Sequence, residues 1–332
     1  MVQAQPLTDA SWTWATITHP GNAPVNPALL PDNSAFVPNG HAPFSGWGSV
    51  SSIYRISTTE TTTSQWLPFV KAYAPYLTSN PGTEFLGGNA IRQSGPRNDP
   101  NSYSILPGFE NDAIDSNFKF GAMYCNWLQN RQTQSQASFN SGVYDLTNVP
   151  VDSQGRWLTI PSRSPSAQYW VPSMNEWVKA AFYDPNRYGQ GLAGYWAYPN
   201  SSDQPLISGM PQNGGQTQYG MGPNDPTAGL LAVGAYPSVA SPWGLLDASG
   251  GVAEFTDTIL HGQFFDHVLV RNSESFGIGR LGGSDWDDIG DYGFHQPDVF
   301  GGYGFRLASS IPSPGAGLGL GWIMYVYSRR RR

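Results

Sequence analysis

Residues 243–255 read W-G-L-L-D-A-S-G-G-V-A-E-F, an apolar run broken by a glycine turn and carrying two carboxylates, Asp247 and Glu254. A carboxylate inside an apolar run is costly to bury without a partner. A hard cation meets that need. Asp247 and Glu254 supply side-chain oxygens, and Gly250 and Val252 can turn backbone carbonyls toward the same point, an all-oxygen shell of the kind calcium prefers. The competing reading of the same spacing is a surface turn whose acids are merely solvated.

The composition around this stretch is that of a loop-rich folded chain. Among 332 residues there are 39 glycines and 28 prolines, while charged residues make up only 12%; such a chain spends much of its backbone in turns. Aromatic residues at 14% supply a sizeable core. Net charge is −7, and without the four arginines 329–332 the body carries 13 basic against 24 acidic residues, which argues against nucleic acid as a partner. The lone Cys125 excludes an intramolecular disulfide and, lying among Tyr124, Trp127 and Leu128, reads as a buried inert thiol.

Three helices follow from pattern. Thr63 or Ser64 can cap a helix whose face is Trp66, Phe69, Val70 and Tyr73, with Pro68 placed in its first turn. Phe120, Met123, Tyr124, Trp127 and Leu128 repeat with helical spacing over about 117–129. Ser173-Met-Asn-Glu176 is a capping box that opens a third helix, stopped by Asp184-Pro185. Trp66, Trp127 and Trp177 fall on apolar faces and are expected in the core. Residues 80–101 and 204–227, rich in Gly, Pro, Asn and Ser, read as long loops, and the remainder as short strands, which together predict an α+β domain.

The opening stretch resembles the G-L-Y-D-M-x-G-N-V-W-E-W motif of the formylglycine-generating enzyme (sulfatase-modifying factor) family. Other blocks resemble that family in the same order: I-Y-R-I-S-T-T-E-T-T-T-S-Q-W at 53–66, A-M-Y-C-N-W-L at 122–128, W-V-P-S-M-N-E-W-V-K-A-A at 170–181, V-G-A-Y-P at 233–237, G-G-S at 282–284 and G-F-R at 304–306. The resemblance implies the formylglycine-generating-enzyme variant of the C-type lectin fold over residues 45–308, with a lead-in and first strands at 1–44 and a tail at 309–332. It also implies calcium, as a structural ion, at Asp247, Gly250, Val252 and Glu254.

Oxidising members of that family carry two active-site cysteines after the closing G-G-S. The matching positions here are Asp287 and Tyr292. Neither side chain can replace a thiolate pair on soft copper, so no copper is expected. The five histidines show no ligand spacing for iron. The run Gly277–Gly282 spells G-x-G-x-x-G but lies late in the chain and outside any βαβ unit, so a dinucleotide site is not expected. The acids around Gly290 lack the ligand positions of an EF-hand. By resemblance, Arg280, Ser284, Asp285, Trp286, Asp287, Tyr292 and Arg306 border the family's cleft and are expected to form an aromatic-rimmed polar recognition surface. Arg306 also reads as an ion-pair partner for Glu60 or Glu254.

The tail, from Ile311-Pro-Ser-Pro314 through an uncharged run at 315–327 to four arginines, resembles a PEP-CTERM sorting segment of exported bacterial proteins, with Ser313 where the usual box has Glu. The apolar run is shorter than the roughly 20 residues of a spanning helix. These features predict an exported, surface-associated recognition protein whose extracellular ligand is a glycan, peptide or matrix polymer, with its tail engaging membrane or sorting machinery. The alternatives are an enzyme using Asp287 or Asp285 as general base in the same cleft, and a sequence-diversified receptor.

Overall fold

The computed structural model describes residues 6–31, 46–79, 82–218, 231–271, 287–299 and 303–312. Its helices are Thr63–Tyr73 (α1), Thr83–Leu86 (α2), Phe118–Gln129 (α3), Gln136–Asn140 (α4) and Met174–Phe182 (α5). Its strands are short: Trp14–Ile17 (β1), Tyr54–Ser57 (β2), Ile91–Gln93 (β3), Tyr103–Ile105 (β4), Tyr169–Trp170 (β5), Tyr183–Asp184 (β6) and Gly194–Tyr195 (β7) precede the turn. Ala253–Leu260 (β8), His267–Arg271 (β9), Gly293–His295 (β10), Tyr303–Gly304 (β11) and Ala308–Ser309 (β12) follow it.

The caps explain where the main helices start. Asn117 accepts the amide of Phe120, so α3 begins where the apolar repeat does. Ser173 and Glu176 form the reciprocal capping box of α5. Helix α1 is capped by Thr62, one residue earlier than the sequence suggested, through a box with Gln65. Pro68 is therefore in the helix interior rather than its first turn. The stretch 80–101 is not all loop, because α2 and β3 form within it.

Two four-stranded sheets organise the chain, in the orders β1-β2-β12-β5 and β10-β9-β8-β11. The first is antiparallel throughout and brings the lead-in strand β1 and the late strand β12 to either side of β2. In the second, β11 runs parallel to β8 with Gly304 opposite Glu254. That pairing demands a glycine: a Cβ at 304 would lie 2.4 Å from the carbonyl of Ile114 and 2.6 Å from Val252. The strict spacing of G-F-R follows, with Gly304 in the tight pairing, Phe305 in the core and Arg306 returning toward β8.

Aromatic side chains fill the larger core. The Trp66 ring lies 4.7 Å from Phe69 and 5.1 Å from Tyr124, and Phe305 meets both Trp66 and Tyr124 edge-on. A second core surrounds Trp177 with Met174, Val178, Phe182, Leu269 and Ile289. Trp66, Trp127 and Trp177 are all buried.

Candidate functional site

The residues 243–255 form a turn followed by β8, not a helix. The turn closes through left-handed backbone at Asp247, Gly250 and Gly251, with φ of 54°, 76° and 76°. Asp visits that region more readily than most residues, and Asp247 Oδ2 accepts the amide of Gly234, 13 positions earlier, at 2.5 Å. Gly251 has a second reason to be glycine, since a Cβ there would meet Glu60 Oε1 at 2.5 Å.

Glu254 is the second residue of β8 and is fully buried, as is Arg306. Arg306 Nε donates to both carboxylate oxygens at 2.7 and 3.0 Å, and Nη2 donates to Oε1 at 2.5 Å. Trp177 Nε1 adds a bond of 2.9 Å to Oε2. Burial alone would lower the Arg306 pKa, but the Glu254 charge and hydrogen bonds outweigh it and hold the guanidinium charged. Arg306 is thus an interior ion-pair partner of Glu254, not a residue of an exposed cleft. Glu60, the other candidate partner, is buried nearby and accepts the Val252 amide at 3.3 Å. Burial, with the charges of Asp247 and Glu254, raises the Glu60 pKa well above the usual carboxylate range. Burial likewise raises Asp247, against the pull of the Gly234 amide and Arg306.

These contacts occupy Glu254, one of the four members of the calcium shell read from the sequence. A carboxylate offers about four lone-pair directions. Three N–H groups, Arg306 Nε shared between both oxygens, Arg306 Nη2 and Trp177 Nε1, make two contacts on each oxygen of Glu254.

Next to this turn lies the segment 287–292. Asp287, Asp288 and Asp291 are all buried, so Asp287 is not on the exposed surface expected of it. Arg271, at the end of β9, donates to the carbonyls of Asp288 and Ile289 at 3.1 and 3.3 Å. Its guanidinium lies 5.1 Å from the Trp177 ring centre and 5.3 Å from that of Phe182. Burial pushes Asp288 up to about 8, against the Gly290 amide and Arg271. Asp287 Oδ2 is bonded to the Ser249 hydroxyl, whose oxygen lies 2.9 Å from Thr217 Oγ1. The turn and the segment bearing Asp287 are therefore joined directly. Tyr292 is half-buried against the second core. Arg280, Ser284, Asp285 and Trp286 lie outside the described residues, as do most of the tail and the run 277–282.

Two cavities of about 10 Å³ each are both lined by Asp247, Ser249 and Tyr236; Gln216 completes one, Glu60 and Gln218 the other. Each has room for about a single water molecule. Cys125 is remote in chemistry from this region: it is fully buried in the larger core, and burial raises its thiol far above the usual value.

No residue pattern pointed to Arg271, Ser249 or the ring of Trp177 as parts of this assembly. Arg271 ends an apolar strand, where arginine usually points to water. Ser249 is one small polar residue in a turn, and its partner lies 38 positions away.

No protein-family model matches the chain, and no curated protein matches it. Solved structures do resemble it over nearly its whole length. The structure described as that of CarF matches at 16% identity and a TM-score of 0.50, covering 91% of this chain and 99% of that one. Treponema denticola variable protein 1 matches at 17% identity and a TM-score of 0.52, covering 92% and 99%. At these identities the likeness is one of fold: a mixed α+β architecture with few helices and loop-rich sheets.

Proposed function

We propose that this chain is a recognition domain of the formylglycine-generating-enzyme type that works without oxidase chemistry. Its α+β fold is read as that family's variant of the C-type lectin fold. One observation carries the proposal. The position that resemblance gives to the first catalytic cysteine is Asp287, and its buried carboxylate is engaged by Ser249. A carboxylate so held cannot cycle through thiolate or disulfide states, and the chain's one thiol sits in the core with a raised pKa. Export and surface association remain part of this reading through the likeness of residues 311–332 to a sorting segment; among the described residues no helix is long and apolar enough to cross a membrane.

The test has two arms. Incubation with a cysteine-containing sulfatase peptide, with and without copper, is expected to give no aldehyde product by mass spectrometry; aldehyde formation overturns the proposal. Binding to immobilised glycans, peptides and matrix polymers is expected for one of these classes. The Ser249–Asp287 contact also favours a second reading, in which Asp287 serves as general base toward a hydroxyl. Turnover lost in Asp287→Asn, with binding retained, would select that reading.

A further inference from the structure

We propose that Arg306 is the resident cation of the 246–254 turn, doing within the chain the work that resemblance assigns to calcium. The inference does not depend on what the protein recognises.

A guanidinium presents five N–H donors in a fixed plane. Those of Arg306 meet an oxygen cage drawn from segments far apart in the chain. Besides the Glu254 carboxylate, Nη1 donates to the carbonyls of Ser57 and Thr58 at 3.4 and 3.2 Å, and Nη2 to those of Leu246 and Asp247 at 3.2 and 3.4 Å. The cage therefore joins the end of β2, the turn itself and the start of β8. A structural calcium ion holds a loop in the same manner, by gathering carbonyls and a carboxylate around one positive centre.

Two further features fit a cation built into the chain and do not fit one taken from solution. The fourth contact on Glu254 comes from Trp177, so a divalent ion bound to Glu254 would have to displace a donor and stand beside a buried guanidinium. Asp247 Oδ2 accepts the Gly234 amide.

The experiment uses the full chain. Hydrogen exchange of the amides of residues 246–254 and the melting temperature are measured in EDTA and in millimolar calcium chloride. In the wild-type protein neither is expected to change; slower exchange of these amides in calcium overturns the proposal. Arg306→Ala leaves the oxygen cage without its cation. This variant is expected to melt lower in EDTA and to gain a response to calcium, rising by roughly 4 °C at a hundredfold excess over its Kd. An Arg306→Ala protein as stable as wild type in EDTA, or folded yet unresponsive to calcium, overturns it. If Arg306→Ala fails to fold, the wild-type exchange measurement still decides. Arg306→Lys then keeps a charge without the fork, and faster exchange of the turn is expected in it, whereas unchanged exchange counts against the proposal.

Discussion

Trp177 and Glu254 are joined by a hydrogen bond of 2.9 Å from the indole N–H to a fully buried carboxylate, tying α5 to β8. The same indole ring carries Arg271 on its face. One side chain therefore touches both buried charge assemblies, the one around Arg306 and the one around Arg271. Trp177→Phe keeps most of the packing and removes the donor. It is expected to destabilise the protein by about 2 kcal/mol, as for a hydrogen bond to a charged group. Urea denaturation measures this, and the loss is expected to be non-additive with Glu254→Gln because the two share one bond.

Ser249 supplies the direct link between the turn and Asp287. Ser249→Ala leaves a buried carboxylate oxygen short of a donor and is expected to cost about 1–3 kcal/mol in a urea melt. Combined with Asp287→Asn the loss is expected to shrink, since the amide form tolerates the missing hydroxyl better than a carboxylate does.

The pH dependence of stability is expected to carry the mark of Asp288. Its folded pKa of about 8 lies above the ordinary carboxyl value near 3.9, so the folded state holds an extra proton between these values. The stability from this group is full below about pH 4 and is lost as pH rises through 8. Among the described residues its Oδ2 has no hydrogen-bond partner, so nothing offsets ionisation at that atom. Urea midpoints from pH 6 to 9 are expected to fall in the wild type and to fall less steeply in Asp288→Asn. A single group contributes at most about 1.4 kcal/mol per pH unit to that slope.

Cys125 is expected to be unreactive toward a thiol reagent in the native protein at pH 8 and to react as one equivalent in denaturant. Native labelling within minutes would contradict the burial found here.

Much of the scaffold was legible in the residues. The repeat at 117–129 and the capping box at Ser173 mark α3 and α5 because helix ends and faces are written in local patterns. The strands were far less legible: β5, β6, β7, β11 and β12 have two residues each, too short for a period-two pattern to register. The turn at 243–255 was recognised as a place where charge must be compensated, and Arg306 was read as an ion-pair partner for Glu60 or Glu254; the pattern did not decide between that arginine and an ion as the compensating group. An ion and an arginine 52 residues downstream satisfy the same local requirement, and only the parallel pairing of β11 with β8 brings Arg306 within reach. Pro68 shows the converse, for the cap at Thr62 moved a proline from a tolerated position to an interior one.

The order in which the chain is made gives β12 a particular weight. It is an inner strand, hydrogen-bonded to β2 on one side and to β5 on the other, so the first sheet stays open until residues 308–309 are available. Arg306 arrives in the same short span, two residues earlier. During synthesis from the amino end, some 300 residues must wait on the ribosome with Glu254 uncompensated and β2 half-paired. Completion of the first sheet and the pairing of Glu254 therefore both depend on one short late span, residues 306–309.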